Sequence, residues 1–331
     1  MQLSSTQSVA DDQFVSIVMP ALNEERYIRQ AITSILPPAG TLDCELLVLD
    51  GGSVDETCAI VEEMGREDPR IRLVPNPKKV QSAAVNLAAK VADPRARCLV
   101  RADCHARYPE NYAADLVATL RTQDVSSVVV AMRTQGVSCL QKGIAAAQNS
   151  RLGNGGSAHR IVGKSGLVDH GHHAAFDREM FLDQGGYDEA CAFNEDAEFD
   201  QRLIKNGGRI YLNGDIAIDY YPRDSLIALA KQYANHGWGR ANTFIKHGGR
   251  PKLRQVLPVL ILAACVGSFL LAAITANALF LLVPTAYFSM ASVFGLLLAF
   301  QHRCACSALA GPAAVVMHMS WAVGFLRRAA T

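Results

Sequence analysis

Leu46-Leu47-Val48-Leu49-Asp50-Gly51-Gly52-Ser53-Val54-Asp55 and Cys98-Leu99-Val100-Arg101-Ala102-Asp103-Cys104-His105 are apolar runs that each end in an acid among small or polar neighbours. Strands buried on both faces of a parallel sheet read this way, and open α/β sheets hold ligands at the carboxyl ends of their strands. Carboxylates gathered at that edge suit a metal-bridged nucleotide. A third acidic group, Asn194-Glu195-Asp196, follows downstream, and the last third of the chain is membrane-like. Together these features point to a membrane-attached enzyme that uses a nucleotide-activated donor.

The flanking sequence supplies the rest of such a sheet. Phe14 to Met19 is a first strand stopped by Pro20, and Asn23-Glu24-Glu25 opens a helix through about Leu36, with Asn23 as its cap. A strand over Glu45 to Asp50 precedes the turn Gly51-Gly52-Ser53, and a helix follows over Asp55 to Gly65. Then come a strand near Ile71 to Val74, a helix over Ser82 to Val91 and a strand over Arg97 to Arg101. Alternation at this spacing predicts a mostly parallel sheet. Neither GxGxxG nor GxxxxGK[ST] is present, which removes the dinucleotide and P-loop signatures. No nucleic-acid partner is expected.

Charge divides the chain. Its 331 residues carry a net +1, yet after Asp224 there are nine Lys or Arg and no acid, so residues 225–331 hold +9 and residues 1–224 hold −8. Lys231, Arg240, Lys246, Arg250, Lys252 and Arg254 crowd the approach to the apolar region. Each would gain roughly 1 kcal/mol beside an anionic leaflet. Gln255 to Gln301 is 47 residues without a charge or a histidine, against about 20 for one span. Two spans are expected, about 256–275 and 279–300. A weaker run over 304–326 contains Pro312 and His318, and whether it crosses is open. The positive-inside rule puts the 246–254 cluster and Arg303 on the cytoplasmic side. Arg327 and Arg328 would then break the rule if the third run crosses.

The resulting division is a polar tail over 1–13, a catalytic domain over 14–224, a basic juxtamembrane segment over 225–254 and a membrane region over 255–331. The tail has no apolar stretch of the secretory-signal kind. Nine cysteines at 44, 58, 98, 104, 139, 191, 265, 304 and 306 form no paired spacing, so reduced thiols are expected.

Pro20-Ala21-Leu22-Asn23-Glu24, Asp50-Gly51-Gly52-Ser53-Val54-Asp55-Glu56-Thr57, the strand end at Asp103, Gly185-Gly186-Tyr187-Asp188-Glu189 and Glu195-Asp196 resemble the ordered motifs of GT-A family 2 glycosyltransferases. They span roughly residues 14–210, and their joint occurrence is more specific than any one of them. Arg101 to His105, Asn194 to Glu198 and the tract from Tyr221-Pro222-Arg223 to Gly239-Arg240 resemble the exopolysaccharide glucosyltransferases of that family. The resemblance implies a GT-A fold, an α/β Rossmann-like mostly parallel sheet, with transmembrane helices at the C-terminus. It implies UDP-glucose as donor and a polyprenyl-diphosphate-linked oligosaccharide as acceptor. It further implies a β-1,3-linked product in exopolysaccharide assembly of the succinoglycan type, beside other assembly enzymes, at the cytoplasmic face of the inner membrane. A polyprenyl-phosphate sugar synthase shares this core. A silent, membrane-anchored nucleotide-binding module is the alternative from another class.

Site roles follow from the same resemblance. Asp50 accepts a hydrogen bond from the uracil base, with Pro20, Asn23, Glu24, Gly52 and Ser53 around the donor. Asp103 matches the second acid of a DxD motif whose first position here is Arg101, which joins the donor-side residues. A divalent cation, Mg2+ or Mn2+, on Asp103 would stabilise the departing diphosphate, and such ions need only one or two protein carboxylates. His105 is a second candidate for the metal, or a strand-end histidine bonded to a loop. Asp55 is either functional or a helix cap. Asp196 is the candidate general base and Glu195 its neighbour in acceptor binding; by themselves Glu195, Asp196, Glu198 and Asp200 read as acids at a helix start, Glu198 pairing with Arg202 at i,i+4. His172 of His170-Gly171-His172-His173 suits an acceptor-side wall better than zinc, since no further ligand completes a set. Trp238 suits sugar stacking and Arg240 the donor diphosphate, or both anchor an interfacial helix.

Overall fold

The computed structural model describes residues 14–191, 193–249 and 251–331; the tail expected over 1–13 and Arg250 of the basic cluster lie outside the described residues. The chain forms two compact units, one running to Met132 and resuming over Val162–Asp219, the other made of Arg133–Ile161 and Tyr220–Thr331. In chain order the elements are β1 (Val15–Ala21), α1 (Ile28–Ile35), β2 (Cys44–Asp50), α2 (Thr57–Glu67), β3 (Ile71–Pro75), α3 (Gln81–Val91), β4 (Cys98–Arg101), β5 (Ala106–Arg107), α4 (Tyr112–Gln123) and β6 (Ser127–Thr134). There follow α5 (Cys139–Gln148), α6 (Arg151–Asn154), β7 (Gly166–Val168), β8 (His172–Asp177), α7 (Arg178–Asp183), α8 (Glu195–Lys205) and β9 (Ile210–Tyr220). Four long helices close the chain: α9 (Leu226–His247), α10 (Leu253–Thr275), α11 (Leu282–Gln301) and α12 (Ala310–Ala329).

The strands of the first unit form one sheet in the order β3-β2-β1-β4-β8-β6-β9-β5, with β7 on β9. β3, β2, β1 and β4 are parallel, in keeping with the mostly apolar, buried runs of β1, β2 and β4. β8 enters antiparallel between β4 and β6. Pro20 does not end β1, contrary to expectation. The strand runs on to Ala21, with Pro20 in register with Leu49, and an extended proline is tolerated at this strand's very end. On one face, Phe176, Phe181, Tyr187 and Phe199 meet at centroid separations of 5.1 to 6.0 Å, mostly edge to face. Each such pair adds about 0.5–1.5 kcal/mol beyond area burial. This box locks α7 and α8 onto β8.

Three helices of the second unit, Leu253–Thr275, Ala278–Gln301 and Ala305–Ala329, are long and apolar enough to cross a membrane. α12 packs against α9 almost backbone to backbone. A Cβ on Gly237 would stand 2.0 Å from the Trp321 carbonyl, and one on Gly324 would stand 1.9 Å from that of Ala234. Small residues permit this approach, the usual way apolar helices associate. Pro312 falls in the first turn of α12, where its missing N–H costs nothing. His318 is held by Tyr287 Oη at 2.9 Å and the Leu152 carbonyl at 2.8 Å. The cysteine expectation needs correction: Cys139 and Cys306 form a disulfide, 167 residues apart in sequence, and the other seven cysteines form no disulfide. Folding, not spacing, brings that pair together.

Candidate active site

The loop after β1 and the loop after β2 clasp one another. Asn23 takes a left-handed φ of +56°, its N–H donating to Ser53 Oγ and its Oδ1 accepting from Val54 N, both at 2.9 Å. Asn23 is therefore not the expected helix cap; α1 begins at Ile28 without a side-chain cap. Glu24 N donates to Thr57 Oγ1 at 2.8 Å, and Asp55 accepts from Glu25 N, Thr57 N and Thr57 Oγ1. Asp55 thus tethers the two loops at the start of α2.

Asp50 ends β2 and accepts from Gly52 N at 2.8 Å and from Ser53 N. Gly52 reaches this Asx-type turn with φ +88°. Burial would raise the Asp50 pKa, but the hydrogen bonds from Ser53 and Gly52 outweigh it and hold the carboxyl below its ordinary value. β2 and β4 flank β1, so Asp50 and Asp103 stand at strand ends roughly 10 Å apart. Pro20, at the end of the intervening strand, accepts from Cys104 Sγ at 3.2 Å through its carbonyl.

Asp103 follows β4 and is nearly buried. Tyr108 secures its backbone at both N–H and carbonyl. Its Oδ1 accepts from Gln81 Nε2 at 3.3 Å and lies 3.7 Å from Arg101 Nη2, while its Oδ2 lies 3.4 Å from His172 Nε2. Burial opposes ionisation here, but Arg101, His172 and His105 prevail and lower the pKa. His105 itself turns toward Glu24, Nδ1 3.7 Å from Oε1. Burial pushes the His172 imidazole down to about 4, Asp103 opposing and Arg101 assisting.

The Arg101 guanidinium is the hub of the cluster. Besides Asp103, its Nη2 lies 3.5 Å from Glu195 Oε1, and Nη1 donates to Tyr187 Oη at 3.2 Å. Acids from the end of β4 and the start of α8 therefore converge on one buried cation. Glu195 and Asp196 open α8 after Asn194, which supplies a left-handed φ of +57°. Burial raises the Glu195 pKa, with Asp196 reinforcing and Arg101 opposing. Asp196 moves the other way: burial is outweighed by His170, His173 and Arg101, and its carboxyl stays well below the usual range. Asp196 also remains partly open to solvent where Glu195 is closed off.

A cation on Asp103 passes a geometric test. Bonds of about 2.1 Å at roughly right angles set neighbouring ligand atoms about 3 Å apart, close to the Asp103–His172 separation. No group of three or more His, Cys, Asp or Glu able to hold a metal occurs among the described residues. One carboxylate and one imidazole, with phosphate and water completing the shell, suit Mn2+ better than Mg2+, which prefers an all-oxygen set.

The sequence singles out none of His173, Asp200 and Tyr187 as a site residue: Asp200 reads as an acid at a helix start, and the other two only as members of longer motifs. His170 and His173 converge on Asp200; His170 precedes β8, which begins at His172, so strand alternation does not govern where it lies. Asp200 lies four residues after Asp196 on α8, and that spacing was the available signal. Glu198 pairs with Arg202 as expected, and Arg202 also donates to the carbonyls of Gln184 and Gly186. Trp238 and Arg240 lie on α9 in the second unit, the guanidinium of Arg328 standing 5.5 Å from the Trp238 ring centroid.

A sheet with carboxylates at its nucleotide edge and a second acidic pair beside them defines a class, and the chain belongs to glycosyl transferase family 2, whose model matches residues 16–184. It is a glycosyltransferase with the GT-A fold. The chain is 41% identical over 327 residues to the succinoglycan biosynthesis protein ExoA of Rhizobium meliloti (strain 1021), covering 98% of this chain and 96% of that protein. A dolichyl N-acetyl-alpha-D-glucosaminyl phosphate 3-beta-D-2,3-diacetamido-2,3-dideoxy-beta-D-glucuronosyltransferase of Methanococcus voltae is 24% identical over 236 residues, covering 68% and 72%. Among solved structures, the mannosyltransferase PcManGT from Pyrobaculum calidifontis, in complex with GDP-Man and Mn2+, superposes with a TM-score of 0.60 at 18% identity. It covers 95% of this chain and 86% of its own.

Proposed function

We propose that the chain is an inverting hexosyltransferase that moves glucose from UDP-glucose to a polyprenyl-diphosphate-linked oligosaccharide, forming a β-1,3 link in exopolysaccharide assembly of the succinoglycan type. The observation carrying this reading is the convergence of Asp103 and Glu195 on Arg101, with Asp196 beside Glu195 at the start of α8. The near full-length likeness to ExoA supports the pathway, and the lipid-linked acceptor named for the Methanococcus relative supports the acceptor class.

The reaction breaks the anomeric C–O bond of the donor while the acceptor oxygen bonds to the opposite face, through a transition state of oxocarbenium character. Asp196, ionised and partly open, takes the acceptor hydroxyl proton. Glu195 orients the acceptor beside it. Asp50 meets the base, with Pro20, Asn23, Glu24, Gly52 and Ser53 forming its surroundings. Asp103 and His172 would hold a divalent cation, which when bound offsets the charge gathering on the diphosphate. Arg101 is closed in among acids and Tyr187, so its part is to hold the cluster together. Trp238 and Arg240 are kept as acceptor-side and diphosphate-side candidates. The apolar helices α10 to α12 would fix the enzyme at the cytoplasmic face of the inner membrane, beside other assembly enzymes.

Membranes containing the chain, supplied with a panel of radiolabelled nucleotide sugars, extracted lipid-linked intermediates and Mn2+, test this reading. Label from UDP-glucose in the oligosaccharide lipid is the expected result. Transfer to bare polyprenyl phosphate would reassign the chain as a sugar-phosphate lipid synthase, and binding without turnover would make it a nucleotide-binding module.

A further inference from the structure

A buried line of side chains behind Arg101 has no part in the chemistry above. Tyr187 Oη lies 2.6 Å from His173 Nδ1, His173 Nε2 lies 2.6 Å from Asp200 Oδ1, and Asp200 Oδ2 lies 2.7 Å from His170 Nδ1. His173, Asp200 and Tyr187 are each at most 1% exposed.

Donor and acceptor capacities fix the sense of this line. The Asp200 carboxylate only accepts, so His173 presents Nε2–H to it, and in the neutral imidazole Nδ1 is then the acceptor. The Tyr187 hydroxyl therefore donates to Nδ1, and its lone pair receives Nη1–H of Arg101. The three hydrogen bonds between the guanidinium and Asp200 run one way, toward the carboxylate, and His170 Nδ1 meets Asp200 from the far side. Nε of Arg101 has no hydrogen-bond partner, so the fork is aimed by its two terminal nitrogens alone.

Tyr187 is itself immobilised. Asn86 clasps its backbone on both sides, Oδ1 accepting from Tyr187 N and Nδ2 donating to Tyr187 O at 2.8 Å each. A Cβ on Gly186 would stand 2.3 Å from that same Oδ1, at a φ of +67°, so the glycine before Tyr187 is what admits the clasp. The ring stacks on His173 and meets Phe181 and Phe199 edge to face.

We infer that Tyr187 is a positioning residue: backed by His173 and Asp200, it fixes the Arg101 fork where Nη2 can face Asp103 and Glu195 together. This deepens the transferase reading and rests on it for its kinetic consequence. A hydrogen bond to a charged group of this kind supports roughly a tenfold effect.

The test is a double-mutant cycle on the full chain in detergent, comparing the unaltered protein, Tyr187→Phe, Arg101→Gln and the pair. Tyr187→Phe should lower kcat roughly tenfold with donor KM little changed, and should weaken Mn2+ binding, read by electron paramagnetic resonance without donor. Both losses should vanish in the Arg101→Gln background. Equal losses in both backgrounds, or none in either, would overturn the inference by reducing Tyr187 to a packing residue. Thermal midpoints of the four proteins require neither sugar nor metal and should show the same non-additivity; additive midpoints would also overturn it. If no nucleotide sugar is turned over by the unaltered chain, the transferase reading fails while the midpoints still decide Tyr187.

Discussion

Nε2 of His172 faces Oδ2 of Asp103 across 3.4 Å, whereas His105 turns its Nδ1 to Glu24. Asp103→Asn and His172→Ala should each raise the Mn2+ concentration needed for half-maximal UDP binding by at least roughly tenfold. His105→Ala should move it far less. A manganese titration of UDP affinity checks this, and unchanged affinity in the first two variants would remove both residues from the cation.

Asp196→Asn should leave UDP affinity nearly intact and lower transfer by about 10²- to 10⁴-fold, the usual range for a general base. Near-normal turnover in single-turnover assays would exclude Asp196 from proton transfer.

The Glu195 carboxyl titrates above its ordinary value because it is buried and beside Asp196. As pH falls through that raised pKa toward 4.5, the folded chain takes up a proton before the unfolded chain does, so stability rises. Asp196 is depressed, so its contribution is present above the unfolded pKa near 3.8 and is lost on further acidification. Thermal midpoints against pH should therefore pass through a maximum on the acid side. Glu195→Gln should abolish the rise and keep the later fall.

Gly186→Ala sets a methyl against the Asn86 amide at a left-handed φ. The cost should be about 2–4 kcal/mol, read from denaturant midpoints, with a loss of transfer because Tyr187 is displaced. An alanine tolerated without change would mean that the clasp is not needed.

Peptide mapping without reductant should recover Cys139 linked to Cys306 and seven alkylated cysteines. Closing so long a loop stabilises by about 5 kcal/mol in the chain-entropy account, so Cys139→Ser should lower the midpoint for unfolding. Full alkylation of all nine would contradict the pairing.

Local signals made the first half of the sheet legible. Apolar runs ending in Asp50 and just before Asp103 mark β2 and β4, and the αβ alternation sets their order. Periodicity said nothing of β8 inserting antiparallel beside β4, since that pairing joins residues far apart in sequence. At the site, Asp103 and Asp196 stood out as acids at strand and helix ends. Tyr187, His173 and Asp200 did not, because each reads as an ordinary core or helix-start residue until the fold joins them. Asn23 misled for a related reason: its amide serves the neighbouring loop, and a cap signal cannot distinguish the two uses.

Helix α12 shares a sealed interior with Ile144 and Ala147 of α5 and with Leu229 of α9. Shortening the chain after Arg303 to obtain a water-soluble enzyme would therefore strip the cover from a segment encoded between β6 and β7. Such a fragment should clump even though every acid around Arg101 is retained, and solubilisation is better sought with detergent or nanodiscs than with scissors.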